Sequence, residues 1–70
     1  MNRQRVTSTN IRSIGYDATT GTLEVEFQSG GIYEYFNVPE TVYAALMRAS
    51  SKGRYLSDFI KDRYRWKKIR

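Results

Sequence analysis

Seventy residues with no cysteine and no histidine amount to one domain at most, and they exclude disulfides, thiolate or imidazole metal sites and all catalysis built on those side chains. So small a core does not enclose a deep substrate cavity within one chain, and the reading is non-enzymatic, with no cofactor and no bound metal. The net charge of +5 is laid out in blocks: all twelve Lys and Arg fall in residues 1–12 and 48–70, while 13–47 carry only Asp17, Glu24, Glu26, Glu34 and Glu40. This arrangement offers a basic side to a polyanion such as RNA or DNA, and it equally describes a solvated tail that keeps a small protein soluble.

Residues 1–10 read as a flexible polar segment, with Val6 apolar among Arg, Thr and Ser. Nothing there has the apolar run of a signal peptide, and no stretch reaches the ~20 apolar residues of a bilayer span, so a cytoplasmic protein with no membrane partner is expected. Order begins near Ile11. Ile14 and Tyr16 share a face, and after the turn Ala18-Thr19-Thr20-Gly21 the run Leu23-Glu24-Val25-Glu26-Phe27 alternates as a strand does. A four-residue loop closed by Gly21 sets Tyr16 opposite Leu23 and Ile14 opposite Val25, so the apolar faces coincide.

The second hairpin has two candidate registers. A three-residue loop Gln28-Ser29-Gly30, with Gly30 at positive φ, pairs Val25 with Tyr33 and Leu23 with Tyr35, leaving Glu34, Ile32 and Phe36 on the other face. A two-residue turn at Ser29-Gly30 turns Ile32 and Phe36 inward but drives Glu34 to the same side, and burying an unpaired carboxylate favours the first register. Pro39-Glu40 then opens a helix to about Ala49, on which Val42, Leu46 and Ala49 recur at helical spacing beside Tyr43 and Met47. After Ser50-Ser51-Lys52-Gly53, residues Tyr55, Leu56, Phe59, Ile60 and Tyr64 fit a second helix. The expected fold is α+β: a three-stranded antiparallel meander packed on one face by two C-terminal helices (β-β-β-α-α), spanning 11–64 and followed by a basic tail at 65–70.

Ile14-Gly15-Tyr16-Asp17, Leu23-x-Val25-x-Phe27, Gly30, Tyr33-x-Tyr35, Val38-Pro39, Val42-Tyr43, Leu46 and Ser51-x-Gly53-x-Tyr55 together resemble the KTSC domain, a family named after the C-terminal extension of some lysyl-tRNA synthetases. The resemblance runs from about Ser8 to Tyr64. It implies a small domain, found alone in bacterial and phage proteins or appended to larger ones, with RNA binding as its suspected role. Tyr33 and Tyr35 fill the family's central motif, and Ser51, Lys52, Gly53 and Tyr55 fill the turn into the second helix.

The basic tail interleaves Arg63, Arg65, Lys67, Lys68 and Arg70 with Tyr64 and Trp66, placing phosphate-binding cations beside rings that can stack on bases. The competing reading folds Trp66 back as core, with its charged neighbours pointing outward, and a protein contact is the third. Lys52 and Arg54, in the Ser50–Arg54 turn, could join Lys61 in holding phosphate, although a serine cap and an interhelix glycine explain the same residues. Tyr33 and Tyr35 invite comparison with base-stacking pairs but face the core in the preferred register. Glu24, Glu26 and Glu34 lie on neighbouring strands as solvated acids or, less readily, as ligands to a hard cation.

The function expected is a nucleic-acid-binding module, RNA favoured over DNA, using Lys52, Arg54, Lys61, Arg63, Tyr64, Arg65, Trp66, Lys67, Lys68 and Arg70. The alternative is a protein-interaction or homodimerisation module that uses the other sheet face through Ile32 and Phe36.

Overall fold

A computed structural model describes the whole chain, Met1–Arg70. Its sheet has five antiparallel strands in chain order: β1 (Arg3–Arg5), β2 (Ile11–Asp17), β3 (Thr22–Phe27), β4 (Ile32–Tyr35) and β5 (Trp66–Lys68). The two helices, α1 (Glu40–Arg48) and α2 (Lys52–Phe59), lie between β4 and β5 in sequence. The meander of three is thus the middle of a wider sheet, and segments that read as loose polar ends supply both edges. Those ends carry no local strand signal, because RQR and WKK gain their strand character only from the ladders they join.

The central registers follow the alternation in sequence. Tyr16 pairs with Leu23, Ile14 with Val25, Val25 with Tyr33 and Leu23 with Tyr35. Gly21 at φ 70° and Gly30 at φ 103° take the positive dihedrals their turns require. The loop Gln28–Gly30 is closed by the Phe27 N–H donating to the Gly31 carbonyl at 2.9 Å. A bulge at Arg12 shifts β2 by one residue, so Ile11 pairs with Phe27 while Ser13 pairs with Glu26. Ile11 and Ile14 thereby both reach the core despite a spacing that strict alternation forbids.

Ile11, Ile14, Leu23, Val25 and Tyr35 from the sheet meet Val38, Leu46, Leu56 and Ile60 in one buried cluster. Tyr16 seals one side, its ring stacked on Tyr43 at 4.6 Å and its hydroxyl donating to the Val38 carbonyl at 2.6 Å. Pro39 caps the start of α1 in extended conformation. The Ser51 side chain accepts from the Arg54 N–H at the start of α2, so the cap reading of that turn is realised. α2 is shorter than its apolar spacing suggests: it stops at Phe59, whose ring is about half exposed, and Tyr64 packs on the core from the turn that follows.

The sheet face away from the helices departs from expectation in being covered. Ile32, expected on an open face with Phe36, is only 4% exposed, and its backbone bonds to Ile69 and Arg70 of the returning chain; Phe36 is half-buried. Glu24 is 6% exposed and ion-paired with Arg3. No helix is long and apolar enough to cross a membrane.

Candidate nucleic-acid interface

Because β5 extends the sheet beyond the helices, part of the helix-side face stays uncovered. Its pairing sets Trp66 beside Tyr35 and Lys68 beside Tyr33 on that face, whereas Lys67 faces the opposite way beside Glu34. Between this strip of sheet and α2 lies a groove of about 460 Å³. Phe27, Tyr33, Tyr35 and Trp66 form its sheet side, and Leu56, Ser57, Lys61 and Asp62 come from α2 and the turn after it. The rings are in contact: Phe27 meets Tyr33 edge-on at 5.5 Å, and Tyr33 meets Trp66 at 5.5 Å with the planes tilted by 52°. The Lys68 ammonium lies 5.9 Å from the centre of the Tyr33 ring.

Trp66 does not fold back into the buried cluster, as its core reading required. Its ring packs against Tyr33, yet the residue is 55% exposed. Tyr35 is buried, which raises its hydroxyl pKa, and it forms the floor of the groove. Tyr33 is half-buried and forms a wall. Sequence reasoning missed Phe27, Asn10, Ser29, Ser57 and Asp62 as groove residues. Of these only Phe27 left a signal, since it continues the parity of Leu23 and Val25 toward Tyr33.

The ten residues assigned to nucleic acid do not form one patch. Lys61 and Trp66 line the groove, and Lys68 stands over its wall. Arg63 is exposed in the turn after α2. Arg65 and Lys67 border a separate hollow with Phe36 and Asn37. Arg70 closes the strand past Ile32, its charge helping to lower the Glu26 carboxyl. Lys52 donates to the Ala49 carbonyl at 3.1 Å, Arg54 pairs with Asp58 at 3.5 Å, and Tyr64 is packed on the core.

Across the outer face the acids are already engaged. Glu26 accepts from the Ser13 hydroxyl at 2.8 Å, a bond that holds its carboxyl below the usual range with help from Arg3 and Arg12. Glu34 shifts the other way, raised first by burial and then by its hydrogen bond to, and the charge of, Glu24. No group of three acids converges as a metal site would require.

Comparison with known proteins places this geometry. The KTSC domain family profile matches residues 7–64. A crystal structure of a KTSC domain protein from Yersinia pestis superposes with a TM-score of 0.95 at 42% identity, over 99% of this chain and 97% of that one. An uncharacterised protein of Stutzerimonas stutzeri is 43% identical over 70 residues, 99% of both chains. Lysine–tRNA ligases of Nostoc sp. and Trichormus variabilis are 48% and 46% identical over 59 residues, 84% of this chain, which spans only 10% of the length of each. With a family profile over most of its length and a relative of the same size and fold, the chain belongs to the KTSC domain family.

Proposed function

We propose that this domain is a non-enzymatic module for single-stranded nucleic acid, RNA in preference to DNA, and that unpaired bases enter the groove between α2 and β5. The observation that carries this reading is the aromatic series Phe27–Tyr33–Trp66, open on one side and attended by Lys61 and Lys68. Half-buried rings ending in the exposed Trp66, beside cations, suit bases threaded along a phosphate backbone, each stacked base contributing roughly 1–3 kcal/mol. The preference for RNA rests on the relatives: the region shared with two lysine–tRNA ligases is a small part of enzymes whose name includes tRNA. A protein contact through Ile32 and Phe36 is the weaker reading, because Ile32 is buried.

Trp66, the sole tryptophan, makes the test direct. Titration with single-stranded RNA should quench its fluorescence, with a midpoint that moves to higher RNA as salt is raised and with duplex DNA binding less tightly. Trp66→Leu, which retains an apolar residue in the strand, should weaken binding by about tenfold or more in a matching anisotropy assay. Unchanged anisotropy with every RNA at low salt rejects the proposal.

A further inference from the structure

One groove residue is out of place for a surface that binds only phosphate. Asp62 is its only acid, set between Lys61 and Arg63. The other exposed acid of this region, Asp58, is held by Arg54, whereas Asp62 has no ion-pair partner. The backbone on either side of it is held in a turn. The Lys61 N–H donates to the Leu56 carbonyl at 2.8 Å, and the Arg63 and Tyr64 N–H groups donate to the Ile60 carbonyl at 3.1 and 3.3 Å, with Ile60 itself buried. A free carboxylate on a braced turn, sharing a groove with stacking rings, suits the recognition of a base edge that carries two adjacent donors.

Resting on the proposed binding of single-stranded RNA, we infer that the groove selects an unpaired guanine, with Asp62 as its specificity residue. Guanine alone among the four bases presents two neighbouring donors, N1–H and the N2 amine, on its Watson–Crick edge, and a carboxylate accepts both in parallel. Adenine turns an acceptor at N1 toward the acid, cytosine turns one at N3, and uracil flanks its single N–H with two carbonyls, so each sets a lone pair against the carboxylate. The guanine O6 needs a donor, and the groove offers the Lys61 ammonium, the Asn10 amide and the Ser57 hydroxyl. At about 460 Å³ the groove falls within the roughly 300–1,000 Å³ of small-ligand sites, a scale suited to a nucleotide and not to a duplex. Cations of the same surface would hold the flanking phosphates.

The test uses labelled uridine octamers whose central base is uracil, guanine, adenine or inosine, titrated into the full chain and into Asp62→Asn at two salt concentrations. The full chain should bind the guanine octamer at least about fivefold more tightly than the uracil or adenine ones. Inosine, which retains N1–H but lacks the amine, should fall between. Asp62→Asn should bring the four octamers to within about twofold of one another, while its affinity for the uracil octamer holds or rises because an acid facing phosphate has gone. Thermal melting of the variant, expected to match that of the parent because the side chain is exposed, guards against a folding effect. Salt-sensitive binding that ignores the central base overturns the guanine inference and leaves the binding module standing. Preference for guanine that survives in Asp62→Asn overturns the role of Asp62, and binding to none of the octamers overturns both readings.

Discussion

The cross-strand pair Glu24–Glu34 sets two acids side by side in the middle of the sheet, and Arg3 is ion-paired with only the first. Glu34 therefore has a folded pKa above its unfolded one, so its contribution favours the fold below the unfolded carboxylate range and is lost as pH rises through the raised value. At neutral pH it works against folding. Glu34→Gln should stabilise the protein at pH 7 by about 0.5 kcal/mol, with the gain disappearing near pH 3 in melts across the two conditions. Glu26 has the opposite sign: its lowered carboxyl adds stability above the unfolded range, and that contribution fades as pH falls through the folded value. Gly15 is a position where size matters, since an added Cβ would lie 2.8 Å from the Asn2 carbonyl oxygen. Gly15→Ala should displace β1 and cost about 1–3 kcal/mol in urea unfolding.

At the scale of the strand, Arg3 is the anchor of β1: it donates from Nε to the Ser13 hydroxyl at 3.0 Å and pairs with the buried Glu24. Arg3→Ala leaves that carboxylate without its cation and should destabilise the fold by about 1–3 kcal/mol, again measured by denaturant. Removing residues 65–70 takes away a strand as well as five charged or aromatic groups, so the truncated chain should melt earlier and expose Tyr33 and Tyr35. Point substitutions are the cleaner probe of binding. This difference marks how far the sequence can be read. Leu23-Glu24-Val25-Glu26-Phe27 carries its own register, because alternation, a glycine at each turn and the cost of burying Glu34 all agree. Arg3–Arg5 and Trp66–Lys68 contain no such pattern, for their ladders close with residues far along the chain. Arg12 conceals Ile11 for a related reason, since one extra residue breaks the alternation by which a core position is recognised. The groove was legible through Trp66, Lys61, the Tyr33–Tyr35 pair and the parity of Phe27; Asp62 and Asn10 enter it through the packing of α2 beside the extended sheet.

Over the whole molecule, some 27 × 25 × 22 Å, the blocks of charge in the sequence become a pattern in space. Basic strands flank acidic ones, so along one row of the outer face Arg3 and Lys67 bracket Glu24 and Glu34. Part of the segregation is thus internal complementarity. Arg3 and Arg12 are engaged by Glu24 and Glu26, which leaves most of the cations without an ion-pair partner in the C-terminal stretch that ends in β5. If Lys61, Arg63 and Lys68 each meet one phosphate, binding of single-stranded RNA should follow salt with a log–log slope of about −2. Replacing any one of them with Gln should reduce the slope by about 0.7, and Arg5→Gln at the far edge should leave it unchanged. β5 also joins the sheet only after the chain has passed through both helices, and it carries Trp66 into the groove as it does so. The groove and the last ladder are therefore completed together: whenever this strand lifts away the groove loses its Trp66 wall, and the affinity of the proposed ligand would be its intrinsic value scaled by the fraction of time the strand is seated.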